Sequence, residues 1–397
     1  MTKRSLVLIY TNLFFCFSTF GQNKKMLEVI DSSLNFSIQQ YTRMADTLSN
    51  KPGALPRSID KKGKLITCKS SWWTSGFFPG SLWYLYEYSH DKNLKSLAEQ
   101  FTERVKDQQY TKDNHDVGFM IYCSFGNGYR ITGNPDYKKV ILNASNSLST
   151  RFNPKVGCIR SWDWGPWQYP VIIDNMMNLE LLFFASKTKG YENLGKIAAS
   201  HANITLLNHF RSDGSCFHVV SYDTLTGKAL THQTRQGFAD GSAWARGQGW
   251  ALYGYTMCYR ETKDPKYLEQ AKKVAGFILN HPRFPKDKIP YWDFDDPAIP
   301  NTLRDASAGA IICSALVELS QYVDKKTSNE YLTVAETQIR TLSSSNYLAK
   351  LGENGNFILM HSVGSKPENS EVDVPLSYAD YYYIEAMLRY RRLIAHR

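Results

Sequence analysis

Apolar residues recur along this chain at the three-to-four-residue spacing of helices that bury one face, in segment after segment. The spacing predicts about twelve helices, near residues 26–48, 75–89, 92–110, 116–132, 135–150, 171–188, 191–209, 242–261, 265–281, 304–323, 328–346 and 376–395. Strand-like alternation is scarce, and 214–223 and 355–361 are its best cases. A polar turn recurs before alternate helices: SHDKNL at 89–94, TGNPDY at 132–137, TKGYENL at 188–194, TKDPKYL at 262–268 and KTSNEYL at 326–332. Most of these hold Gly, Asn or Pro, and each leads into an amphipathic run, as helix-capping chemistry requires. Helices before the turns are rich in aromatics and small residues. Those after them, such as YLEQAKKVAGFILNH, carry Lys-rich outer faces. An apolar inner ring inside an amphipathic outer ring is an all-α architecture, an (α/α)6 barrel, and six helical hairpins account for the helices.

The longer connections, 49–74, 151–169, 210–241, 282–303 and 347–375, fall at the opposite ends of the hairpins from the short turns. In a barrel they gather at one mouth, where a site belongs. They carry Trp72, Trp73, Trp162, Trp164, Trp167, His218, His232, Arg235, Trp292 and Asp293. Aromatics beside charges suit sugar binding.

Within the apolar stretch YPVIIDNMMNLELLFFAS, 169–186, stands one carboxylate, Asp174. Pro170 suits the first turn of a helix, which places Asp174 in a buried wall. Desolvation raises its pKa and the helix N-terminus lowers it. If burial wins, Asp174 holds a proton near neutral pH and can give it away, as a general acid must; the alternative is a carboxylate satisfied by first-turn N–H groups. NHDVGF at 114–119 sets His115 and Asp116 at a helix start, either as an N-cap or as a second carboxylate opposite Asp174. In WARGQGWALYGY, 244–255, Arg246 and Trp250 are four apart and share a face. Such a pair holds a carboxylate beside a stacked sugar ring, or forms a structural ion pair.

Composition narrows the partner. The 397 residues are 43% hydrophobic and 14% aromatic, ample for a large core. The net charge is +10, yet there is no Lys/Arg block and no nucleic-acid motif, so an acidic glycan fits better than nucleic acid. The cysteines are scattered with no C-x-x-C pair, so no metal is expected. Lys3, Arg4, the apolar run to Phe20 and Gly21-Gln22 read as a secretion leader over residues 1–21. Phe14 and Phe15 stand where a lipid-anchor signal at Cys16 needs small residues. The expectation is a single mature domain, 22–397, exported to the periplasm without membrane insertion.

Taken in order, HDVGF, the Asp174 helix, FHVV with His218, WARGQGWALYGY and SYADYYYIEAML at 377–388 resemble the unsaturated glucuronyl hydrolases, glycoside hydrolase family 88. The resemblance spans nearly the whole mature chain. It implies an α6/α6 barrel acting on the short oligosaccharides that polysaccharide lyases release, which carry a Δ4,5-unsaturated uronic acid at the non-reducing end. It implies hydration of the C4=C5 vinyl ether: Asp174 protonates C4, then helps water attack C5, and the hemiketal opens. It implies that Asp116 holds sugar hydroxyls and tunes the acid. His115, His218, Arg246 and Trp250 match substrate-binding positions, and Trp162 a stacking one. No cofactor beyond water is needed. TRQG at 234–237 departs from the T-H-Q-G of many members, placing the permanent cation of Arg235 where they have His. With Ser362, Ser365 and Lys366 in HSVGSKP, 361–367, it resembles members acting on sulfated glycosaminoglycan fragments. An unsaturated rhamnogalacturonyl hydrolase and a non-catalytic glycan-binding protein stay open as alternatives.

Overall fold

The structure, a computed structural model, describes residues 4–395, with side chains from residue 24. The leader's side chains, Cys16 among them, and residues 1–3 and 396–397 lie outside the described residues. The helices are α1 (Arg4–Leu48), α2 (Phe77–Ser89), α3 (Lys92–Glu103), α4 (Asn127–Thr132), α5 (Pro135–Ser149), α6 (Asn175–Ser186), α7 (Glu192–Asn208), α8 (Ala245–Thr262), α9 (Pro265–Asn280), α10 (Ala306–Leu319), α11 (Lys325–Leu342) and α12 (Ser377–Ala395). A π-helix, Gly118–Gly126, runs directly into α4.

The recurring turn does what its chemistry requires. Asp91, Asn134, Asp264 and Asp324 each accept a first-turn N–H and cap α3, α5, α9 and α11. Pro135 and Pro265 follow at the start of their helices. The inner helices α2, α4 and α8 end on a left-handed residue, His90, Gly133 and Lys263, which turns the chain back. The last turn is shifted from its expected place: Asp324 caps α11, so 326–332 is already helical.

The helices pair as α2/α3, α4/α5, α6/α7, α8/α9 and α10/α11, and α1 packs against α12, α2 and α11. This is the (α/α)6 barrel expected from the pattern. Five pairs are hairpins; the sixth joins the two ends of the chain, α1 lying outside α12. Buried Asp380 stitches this seam, accepting Tyr41 Oη at 3.0 Å and the Ile358 and Leu359 N–H groups at 2.9 and 2.8 Å. The inner ring is packed with aromatics: Phe77, Phe119, Trp250, Tyr378 and Tyr382 are buried and touch ring to ring.

Short strands decorate one end: β1 (Leu55–Ile59), β2 (Leu65–Cys68), β3 (Phe152–Asn153), β4 (Cys158–Ile159), β5 (Pro170–Ile172), β6 (Val219–Tyr222), β7 (Ala229–Gln233), β8 (Ser362–Ser365) and β9 (Ser370–Val374). All pairings are antiparallel, and β5-β6-β7 form one sheet. Here the helix expected from Pro170 is corrected. The β-branched run Val171-Ile172 pairs with Val220 and Val219, and the helix starts only at Asn175. The strand expected at 355–361 is not formed: a short 3-10 turn, Asn354–Asn356, is followed by irregular chain with one isolated bridge from Leu359 to Leu348, and the ladder begins at Ser362.

At the far end of the barrel, the C-terminal ends of the inner helices enclose a cavity of about 300 Å3. Its charges satisfy one another. Arg260 pairs with Glu180, Glu261 and Glu318, and Arg389 with Glu318 and Glu385. Phe119 and Tyr382 line this cavity and pack against Trp250, which separates it from the other end.

Candidate active site

Six inner-ring N-termini point toward the decorated end, and their dipoles favour a negative guest there. Between them lies a cleft of about 340 Å3. His115, Asp116, Trp162, Asp174, Arg235, Arg246 and Ser365 all line it, as expected from the sequence. Trp72, Trp73, Gln236, Glu368, Glu371 and Tyr378 complete the wall.

Local rules put each group there. Ile172 pairs with Val219, and the ladder is extended by Ile173 N–H donating to the His218 carbonyl at 3.0 Å. That register sets His218 beside Asp174, with Nε2 3.6 Å from Oδ2. Asp174 occupies the N-cap position of α6 but caps nothing; its side chain makes no first-turn bond, so the alternative of a backbone-satisfied carboxylate is not what the structure adopts. Ser161 ties the second carboxylate's loop to the same sheet. Its carbonyl accepts His115 N–H at 3.0 Å, and its Oγ accepts Ile172 N–H at 2.9 Å. Asp116 is not an N-cap either. It lies two residues before the π-helix, an insertion geometry often found at sites. A Cβ on Gly118 would come within 2.6 Å of Asn178 Cα, so only glycine lets the π-helix and α6 approach this closely. Asn178 Oδ1 accepts Phe119 N–H at 2.9 Å and locks that approach.

Burial drives the electrostatics. It pushes the Asp174 carboxyl up to about 7, against the opposing charge of Arg246, its own main-chain N–H and the indole N–H of Trp250. Burial, then the Asp174 charge, push Asp116 up to about 8, opposed by Arg151 and Asn178. The two carboxyls titrate as a pair and hold a proton into the neutral range. The histidines are driven the other way: burial lowers His115 to about 3 and holds His218 well below its ordinary value, so both are neutral. Unpaired buried polar atoms concentrate here, among them Asp174 Oδ2, His115 Nδ1, His218 Nε2, Arg246 Nε, Ser365 Oγ and Tyr378 Oη. Unmet groups are expensive unless a ligand meets them.

Arg246 is a fixed cation. Its two Nη groups donate to the Val363 and Gly364 carbonyls, and Asp305 lies 3.6 Å away. Trp162 stacks on Trp164 at 4.6 Å and 12° and meets His115 and His218 edge-on. Arg235 lies over Trp164 at 4.3 Å and pairs with Glu368.

Four expected contacts are not among the residues lining the cleft; the first, His218, is buried against Asp174. Trp250 is fully buried beneath Asp174, its ring faces taken by Phe119 and Tyr382, so no sugar can stack on it. Ser362 is fully buried within β8. Lys366 turns away to Asp296 at 2.9 Å and Thr302 at 3.2 Å, over the Trp292 ring. The strand alternation of β8 explains the split between Ser362 and Ser365 only in part, because the ladder shifts register between Ser362 and Val363. Glu368 and Glu371 carry no pattern in the sequence; Glu368 sits on the β8–β9 turn and Glu371 in β9, and only the fold brings them here.

Comparison with known proteins agrees with this geometry. The family model described as Glycosyl Hydrolase Family 88 matches residues 56–391. An unsaturated glucuronyl hydrolase of Formosa agariphila is 47% identical over 388 residues, which are 96% of this chain and 95% of that protein. A crystal structure of an unsaturated glucuronyl hydrolase specific for heparin superposes with a TM-score of 0.90 at 52% identity, covering 93% of this chain and 98% of the other. A Streptococcus agalactiae unsaturated glucuronyl hydrolase variant complexed with dGlcA-GalNAc6S superposes with a TM-score of 0.77 at 29% identity, covering 91% of each chain. With its barrel, its paired carboxyls and this match over most of its length, the chain belongs to glycosyl hydrolase family 88.

Proposed function

We propose that this enzyme removes the Δ4,5-unsaturated uronic acid from the non-reducing end of lyase-generated glycosaminoglycan oligosaccharides by hydrating the C4=C5 vinyl ether. The observation that carries the reading is the pair of carboxyls on one aromatic-walled cleft, Asp174 buried and Asp116 partly buried, raised to about 7 and about 8. In the proposed sequence Asp174 delivers its proton to C4, and the charge left on C5 is spread onto the ring oxygen. The resulting carboxylate takes a proton from the water that attacks C5. The hemiketal opens and releases the shortened sugar, and Asp174 ends protonated as it began. Asp116 anchors ring hydroxyls, and the cation of Arg246 together with the helix N-termini holds the substrate in its charged form. Neutral His115 and His218 supply hydrogen-bonding groups at fixed positions. Loss of the vinyl ether absorbance on adding an unsaturated disaccharide tests this; binding with the absorbance intact would make the protein a binder.

A preference for sulfated fragments is proposed with it. Arg235 stands at the rim on Trp164, and Ser365 presents a buried, unpaired hydroxyl to the cleft. A structure that resembles this chain is described as specific for heparin. Across chondroitin, dermatan and heparin disaccharides, Arg235→Ala is expected to lower the kcat/KM ratio of sulfated to unsulfated substrate about tenfold, the scale of one charge-assisted hydrogen bond. An unchanged ratio would remove Arg235 from sulfate recognition.

Export to the periplasm by cleavage after residue 21 is also proposed, on the basic start and apolar run of the leader. Mass spectrometry of periplasmic protein is expected to find Gln22 at the N-terminus; uncleaved protein in the cytosol would contradict it.

A further inference from the structure

His218 is gripped on its inner nitrogen. Nδ1 accepts the main-chain N–H of Arg235 at 3.1 Å and that of Gln236 at 3.3 Å, and Thr234 Oγ1 lies 3.4 Å away. A ring nitrogen that accepts two N–H groups carries no hydrogen of its own, so the hydrogen of the neutral ring is on Nε2. Nε2 is buried and unpaired, 3.6 Å from Asp174 Oδ2, which is unpaired too. The turn that supplies the two N–H groups is itself held. Thr234 N–H donates to Asp240 at 2.8 Å. Fully buried Asp293, which has no part in the proposed chemistry, accepts Phe238 N–H at 2.8 Å and Ser242 Oγ at 2.7 Å. A Cβ on Gly237 would meet Thr234 Oγ1 at 2.8 Å and Asp293 Oδ2 at 3.1 Å, so the turn is closed tightly.

We propose that the 234–236 turn locks His218 as a permanent Nε2–H donor, making it a positioning residue for the Asp174 carboxylate. The inference rests on Asp174 being the acid of the reaction above. Protonating Nδ1 would set its new hydrogen against two N–H groups, so His218 serves neither as acid nor as base. It presents a donor toward Oδ2, 3.6 Å away, and closes on the carboxylate to steady it as the proton leaves. The other titratable and charged groups facing this pair are Arg246 from α8, Asp116 and His115 from the loop before the π-helix, Tyr378 from α12, and Cys216, His209 and the Arg235 side chain. Arg246 favours the ionised Asp174 as His218 does, and Asp116 disfavours it.

The full chain, labelled with 15N, provides the direct test. The His218 signal, assigned by its loss in His218→Gln, is expected to show a protonated Nε2 and a bare Nδ1 from pH 5 to pH 8. A His218 that titrates in that range, or carries its hydrogen on Nδ1, overturns the lock. Kinetics provide the second test. His218→Phe keeps the ring shape but lacks the donor. It is expected to lower kcat about tenfold and to move the basic limb of the kcat profile up by about one pH unit, the worth of one charge-assisted hydrogen bond. His218→Gln, which can place a donor at the Nε2 position, is expected to recover part of both. Gly237→Ala, outside the cleft, is expected to shift the limb in the same direction. A limb that stays put in His218→Phe overturns the positioning role. If instead the assignment of the acid is wrong, Asp174→Asn stays active whatever the state of His218, so the two failures are told apart.

Discussion

Asp174→Asn is expected to slow turnover of an unsaturated disaccharide by roughly a thousandfold to ten-thousandfold, the range for loss of a positioned general acid. The rate is read as disappearance of the vinyl ether absorbance. The amide keeps the shape and polarity of the carboxyl but has no transferable proton, so substrate affinity should change far less than kcat. An undiminished rate would take Asp174 out of the reaction. The same variant carries a stability signature of opposite sign. In the folded chain Asp174 holds its proton up to about 7, against an ordinary value of 3.8. Its contribution to stability is therefore fully present below the ordinary value and is lost as pH rises through about 7. The amide never ionises, so above pH 7 the variant should melt higher than the parent, by roughly a few degrees. A variant that is both inactive and less stable at pH 8 would point to misfolding rather than a missing proton.

Asp116→Asn is the second large effect, expected to reduce kcat/KM roughly a hundredfold or more, with a distinct pH signature. Charge on either carboxyl opposes charge on the other, as seen in the raised value of Asp116 beside Asp174. Removing the Asp116 charge therefore makes Asp174 easier to ionise. Since the first step needs protonated Asp174, the basic limb of the rate profile should move to lower pH, opposite to the shift expected on removing the His218 donor. A basic limb that moves up, or not at all, would show that the two carboxyls do not share one proton. The pair also explains why activity should fall as pH climbs past about 8, where both sites lose their hold on it.

Much of this site was legible in the sequence, for reasons that can be named. The inner and outer helices differ in how many faces they bury, and α9 with its Lys-rich face, set against α10, buried on every face, makes the contrast plain. The capping residues Asp91, Asn134 and Asp264 mark their helices by local hydrogen bonding alone. A carboxylate in an apolar wall stands out because its burial needs a reason, and Asp174 had no partner nearby in sequence. What was hidden depends on distant segments. Val171 and Ile172 read as one turn of a buried helix until β6 offers them a ladder, and periodicity cannot separate those outcomes over so short a run. The π-helix at 118–126 leaves no pattern, because GFMIYCSFG is apolar on nearly every face and a wider turn changes nothing visible. Tryptophan suits a sugar platform and a packed core alike, and only the rings of Phe119 and Tyr382 against Trp250 decide for packing. Nothing near Lys366 in the sequence shows that Asp296, 70 positions earlier in the chain, claims its charge.

The floor made by Phe119, Trp250 and Tyr382, with ion pairs closing the barrel below, turns the cleft into a cul-de-sac. A polymer cannot thread through a blind hole. One terminal unit enters, and the remainder of the chain stays outside. Each unsaturated end allows a single cut, after which both pieces must back out the way they came.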